Sequence, residues 1–178
     1  MRSTLILILA LSLVPPAAEA GPLSGAREIF LIDGQGERLR IGRIRFEGDG
    51  YELALDGAGF ADHFLSMRPF RCITAGQRQL CHLEYPYANA RDLGAELTDL
   101  EYDLLFVSKG AGEYGIDMWN GAYYRLEADG DGLTGTLHEV DLRPLAVPPP
   151  AGEMRPIRER DLHAAEPADH WLPVLRIE

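Results

Sequence analysis

Apolar and polar residues alternate in short runs through most of the chain from residue 28 to 142, and Gly and Asp punctuate the runs. A period of two is the signature of half-buried strands. Runs 40–47 (RIGRIRFE) and 51–56 (YELALD) flank Gly48-Asp49-Gly50. Runs 122–128 (AYYRLEA) and 133–142 (LTGTLHEVDL) flank Asp129-Gly130-Asp131-Gly132. Asp-Gly between alternating runs favours a two-residue type I′ hairpin loop. An Asp49-Gly50 loop pairs Phe46 with Leu53, Ile44 with Leu55 and Arg43 with Asp56. An Asp129-Gly130 loop pairs Leu126 with Leu133 and Ala122 with Leu137. Residues 28–32 (EIFLI) form an earlier strand and 174–177 (VLRI) a last one.

A third hairpin carries the only two cysteines, Cys72 and Cys81. Runs 67–75 (MRPFRCITA) and 79–85 (QLCHLEY) surround Gly76-Gln77, and Gly-x suits a type II′ loop. That loop sets Ala75 opposite Arg78, Thr74 opposite Gln79, Ile73 opposite Leu80 and Cys72 opposite Cys81. Counted from the turn, the cysteines form a non-hydrogen-bonded pair, the closer kind, whose Cα separation of about 4.5 Å admits a disulfide. The same register places Phe70, Cys72, Cys81, Leu83 and Tyr85 on one face. Arg71, Arg78, His82 and Glu84 lie on the other, together with the Ile73–Leu80 pair. Cys-x8-Cys on strands reads as a structural staple, because redox pairs favour Cys-x-x-Cys at a helix start.

One helix interrupts the strands. Thr98-Asp99-Leu100-Glu101 fits a capping box, and Leu100, Leu104 and Val107 recur at helical spacing, although YDLLFV also reads as a buried strand. Residues 60–66 suggest a helical turn and 157–165 a short helix. Pro148-Pro149-Pro150 ends the body. Residues 148–178 read as a Pro-rich linker and a C-terminal tail that packs on the domain through Trp171, Val174, Leu175 and Ile177. The expected fold is mostly β: an antiparallel up-and-down meander forming a small barrel, or alternatively a β-sandwich, with one or two short helices.

Residues 1–20 read as a signal peptide. Arg2 supplies the positive region, Leu5 to Val14 an apolar stretch of ten residues, and Ala18-Glu19-Ala20 the small-x-small cleavage site. Ten apolar residues are too few to span a bilayer, which takes about 20. A soluble periplasmic or secreted protein with no membrane span after cleavage is therefore expected, and an oxidising compartment lets the cysteines pair. Residues 21–147 form one β-barrel domain in this reading. The net charge is −11, and cleavage leaves it unchanged because Arg2 and Glu19 offset each other. Nucleic acid is disfavoured, since it needs clustered cations. Lys109 is the single lysine among the basic residues, which fits a GC-rich genome.

The phrases FLSMRPFRC, CHLEYPY, LTDLEYDLLF and YGIDMWNGAYYRLE resemble blocks of an uncharacterised family of secreted proteobacterial proteins, over most of residues 28–145. That resemblance carries no activity to individual residues. By architecture the meander also resembles lipocalin-like barrels, without the Gly-x-Trp that marks the first strand of many of them.

Catalytic motifs are missing. Ser24, Ser66 and Ser108 lie in no Gly-x-Ser-x-Gly, and there is no phosphate loop or dinucleotide fingerprint. The five histidines are scattered, and Asp129-x-Asp131-Gly132 lacks the later ligands of a calcium loop. No catalytic residue, metal ligand or cofactor is assigned. The best functional lead is aromatic. Tyr85 and Tyr87 follow the stapled hairpin, while Tyr114, Trp119, Tyr123 and Tyr124 surround a glycine-rich loop. Such residues give a binding cavity apolar area with a polar tip. Arg71 and His82 offer a polar face for an anionic group. The leading expectation is a non-enzymatic binding module for an apolar or amphipathic small ligand. The alternatives are an envelope interaction module with a filled core that docks a basic protein, and a carboxylate or histidine hydrolase.

Overall fold

The computed structural model describes residues 23–93 and 96–178; the signal-peptide expectation lies outside them. Eleven strands build a single antiparallel sheet: β1 Gly25–Ile32, β2 Arg38–Glu47, β3 Gly50–Ala54, β4 Phe60–Phe64, β5 Pro69–Ala75, β6 Arg78–His82, β7 Phe106–Gly110, β8 Gly121–Asp129, β9 Gly132–Val140, β10 His163–Ala164 and β11 Val174–Ile177. Their spatial order is β3-β2-β1-β11-β9-β8-β7-β6-β5-β4, with β10 beside β9. The outermost strands, β3 and β4, are consecutive in the chain and joined by residues 55–59. A flat sheet would separate them by about 43 Å at the usual strand spacing, and the link reaches about 20 Å. The sheet must therefore curl, and it forms a half-barrel rather than two packed sheets. Gly57 N donates to Ile41 O (3.0 Å) and the Arg71 guanidinium to Leu55 O, which ties the link across the gap.

Three hairpins share one turn solution. Ala75 faces Arg78, Glu47 faces Gly50 and Asp129 faces Gly132, so the loops are Gly76-Gln77, Gly48-Asp49 and Gly130-Asp131. Each loop glycine has φ near +60° (59°, 60° and 65°), and the residue after it does not have a positive φ. This is the type II′ pattern. The stapled hairpin has the expected register, with Cys72 opposite Cys81, Cα atoms 3.9 Å apart and a disulfide between them. The other two differ from the Asp-Gly expectation. Phe46 pairs with Tyr51, Ile44 with Leu53 and Arg43 with Ala54, while Leu126 pairs with Gly135 and Ala122 with Glu139. In both, a glycine precedes the Asp, so one positive-φ glycine replaces the two positive-φ positions that type I′ requires. The partners slip by two residues, which leaves every side chain on its expected face.

The curl encloses the larger core. Ile29, Leu31, Ile44, Tyr51, Ile73, Leu80, Phe106, Tyr124, Leu137 and Leu175 belong to one buried cluster that includes strands from both ends of the sheet. A local irregularity in β2 serves this core. Ile41 and Ile44 are an odd number apart and would face opposite ways in a regular strand. The β1–β2 register shifts so that Ile29 faces Gly42 and Phe30 faces Arg40, which leaves Ile41 as the extra residue of a bulge. Both isoleucines are then buried. The opposite face of β5–β9 is buried as well, under a second cluster of Phe70, the disulfide, Leu83, Tyr85, Tyr102, Tyr123, Leu142 and Ile157. The Ile73–Leu80 pair, expected on a polar face, thus lies in the main core.

The helix is α1, Thr98–Asp103, followed directly by β7, so Val107 is a strand residue. Both readings of this region hold in part, and the boundary falls at Leu104–Leu105. The capping box does not form: Leu97 is the N-cap and no side chain caps it. The Glu101 carboxylate instead accepts from Leu126 N (2.7 Å) and from the Tyr123 hydroxyl. The tight 129–132 pair directs odd-numbered amides of β8 to β9 and even-numbered ones to the other edge. There β7 pairs only with Gly121 and Ala122. The buried N–H of Leu126 has no strand partner on that side, and Glu101 takes the partner's place.

Residues 60–64 form strand β4 rather than a helical turn. Within 157–165 the chain makes a 3-10 turn, Glu159–Asp161, and then β10. The last strand falls where expected, but in the middle of the sheet: β11 pairs with β1 on one side and β9 on the other. Its insertion breaks the simple up-and-down order. Among the described residues no helix is long and apolar enough to cross a membrane.

Candidate functional site

The structure places seven of the eight candidate binding residues in three regions and leaves Tyr114 apart from them. Tyr85, Tyr87 and Tyr123 lie on the second face, where Tyr102 joins them in a row of edge-to-face contacts with centroids 5.5, 4.8 and 6.3 Å apart. Their hydroxyls are engaged: Tyr85 donates to Met154 O, Tyr87 to Leu145 O (3.0 Å), Tyr123 to Glu101, and Tyr102 accepts from Ile157 N (2.7 Å). Burial pushes the phenols of Tyr85, Tyr102 and Tyr123 upward in pKa, so they stay protonated. This row is structural cement between the sheet and the segment 142–158. The clefts beside it measure 580 and 740 Å³ and are flanked by ionic pairs already satisfied, Arg155 with Asp99 and Arg125 with Glu159.

Arg71 and His82 stand near the β3–β4 gap. The Arg71 guanidinium lies 4.9 Å from the Phe60 ring centre and donates to Leu55 O. His82 is packed edge-on to Phe106, with Nε2 3.0 Å from Asp103 O, and burial lowers its pKa. Together with Glu84 they line a small cleft of 80 Å³. Tyr114, 83 % exposed, projects from the 111–120 loop.

Trp119 and Tyr124 border a third region, at the rim of the half-barrel. Two adjoining clefts of 210 and 200 Å³ share Ser108, Ala122, Leu137 and His170. Tyr124 and Trp171 line the first and Trp119 the second. The space exists because the inner face carries Ser108 on β7 and Ala122 on β8, where neighbouring positions carry Leu80 and Phe106. Tyr124 is the floor: its hydroxyl donates to Leu172 O (2.7 Å) and its ring meets Phe106 edge-on at 6.2 Å. Elsewhere the curl is packed by the buried cluster that includes Ile29, Ile44, Phe106 and Leu175.

Trp119 is held in place while remaining 58 % exposed. Its backbone N–H bonds Asp117 Oδ1 (3.0 Å), and Asn120 O accepts from Ser108 N (2.8 Å), which docks the loop on β7. The Arg143 guanidinium covers its ring, 3.1 Å from the centre. Arg143 is itself fixed by a two-pronged contact with Asp141, which holds that carboxyl below the usual range. Opposite, His170 Nε2 lies 3.1 Å from Glu139 Oε1. The Arg78 guanidinium lies 5.3 Å from the centre of the Trp171 ring.

Sequence reasoning missed Arg78, Ser108, His170 and Trp171 as site residues. The signal for them is non-local: they come from β6, β7 and the segment before β11. No hydrogen bond joins the Ser108 side chain to His170, so the nucleophile–base link of a serine hydrolase is not made. Among the described residues no group of three or more His, Cys, Asp or Glu side chains gathers as a metal site. No protein-family model, curated protein or solved structure matches the chain.

Proposed function

We propose that this is an exported, periplasmic or secreted, non-enzymatic binding module that takes a small amphipathic ligand in the rim groove between Trp119 and Trp171. One observation carries the reading: the only two tryptophans of the chain border adjoining clefts whose floor is apolar and whose walls hold a few polar groups. That composition is what small-ligand sites have. A dry apolar cavity of about 150 Å³ accommodates benzene, so each cleft suits one ring or a short alkyl chain.

The two tryptophans make the site its own reporter. Titrating 1-octanol should shift the intrinsic tryptophan emission saturably. Ser108→Leu, at an exposed position, should fill the shared part of the groove and abolish the shift while leaving the unfolding midpoint near that of the parent. A linear, non-saturating response, or an identical one in Ser108→Leu, would overturn the assignment.

A further inference from the structure

Among the described residues fifteen arginines are present, and twelve lie within ion-pair distance of a carboxylate. The three that do not are Arg68, Arg71 and Arg78, all on the stapled hairpin or its approach. In a chain of net charge −11, a guanidinium left without a carboxylate is the exception. Arg71 has the Leu55 carbonyl, and Arg68 lies 5.4 Å from the centre of the Phe70 ring, away from the groove. Arg78 alone lines the rim groove, exposed and braced on Trp171.

We propose that the ligand's polar end is a carboxylate bound by Arg78, and that the natural ligand class is a medium-chain or aryl carboxylic acid. This rests on the groove being the ligand site. Arg78 presents a planar fork of donors matched to a carboxylate. The Ser108 hydroxyl lies on the same wall as a further donor. The apolar tail then runs over Leu80, Ala122 and Leu137. Asp169 and Glu139 also border the clefts. The Glu139 carboxylate lies 3.1 Å from His170 Nε2, and Arg78 is the one guanidinium lining the clefts. Two adjoining lobes fit a tail of about six to eight carbons better than a single ring.

The test is a titration of tryptophan emission at pH 7.5 and low salt with three probes of equal tail: octanoate, 1-octanol and octylammonium. Octanoate should bind at least about ten-fold tighter than octanol, with the advantage shrinking at 0.5 M salt as a charge contact requires. Arg78→Gln should reduce octanoate to the octanol level and leave octanol unchanged. Arg68→Gln should change neither. Equal binding of octanoate and octanol would overturn the carboxylate assignment and leave the groove standing. Preference for octylammonium would overturn it in favour of Asp169 and Glu139. An octanoate preference that survives Arg78→Gln would overturn the role of Arg78. No saturable response to any probe would remove the groove itself.

Discussion

Replacing Glu101 with alanine isolates an unusual replacement of main-chain pairing by a side chain. Glu101 is 4 % exposed, and its carboxylate serves two donors, the Leu126 N–H and the Tyr123 hydroxyl, in residues 4 % and 3 % exposed. Leaving a buried donor without a partner costs about 1–3 kcal/mol. Part of that loss is offset, because burial is the largest influence on the Glu101 carboxyl and pushes its pKa up. The expected net loss for Glu101→Ala is about 3 kcal/mol. Glu101→Gln keeps an oxygen for Leu126 and should cost under about 1 kcal/mol. The two variants also separate in pH. A carboxyl whose folded pKa is raised binds more protons folded than unfolded, so its contribution falls as pH rises from the ordinary carboxylate range through the raised value. Glu101→Gln should remove that slope. Urea unfolding with the disulfide intact, at several pH values, measures both effects, and exposed Glu127→Ala serves as control. If Glu101→Ala unfolds within about 0.5 kcal/mol of Glu127→Ala, the idea that a side chain substitutes for a missing strand partner is wrong.

Two further outcomes test the architecture. Paired alanines at Cys72 and Cys81 open a loop of sequence separation 9 and should cost about 2–3 kcal/mol in the chain-entropy model. Urea midpoints in the presence and absence of reductant check this, since only the parent should respond. Gly42→Ala should destabilise by about 2 kcal/mol or more. Its new Cβ would collide with Ala54 O and lie 2.9 Å from Leu55 Cα, at the bulge that turns Ile41 into the core; a thermal midpoint equal to the parent's would refute that role.

Local pattern and tertiary closure contributed differently. The strand content, the stapled hairpin with its register, and the position of the last strand are legible along the chain, because turn chemistry and alternation act over a few residues. The two register slips show the resolution of that signal. Gly48 and Asp49 compete with Asp49 and Gly50 as the loop, and a shift of two changes every partner without changing any face. What closes the sheet is not local. Residues 55–59 are too short to join the edges of a flat sheet, and β11 enters between β9 and β1, the latter more than 100 residues back in the chain. The Glu101 carboxylate reads as a helix cap in sequence and becomes a strand partner because β7 stops short beside β8. The same distance hid the candidate site. Trp119 stood out as an aromatic in a glycine-rich loop, but Arg78, Ser108 and His170 carry no motif. They meet only when the sheet curls, and no spacing along the chain encodes a contact that depends on which strand edges close.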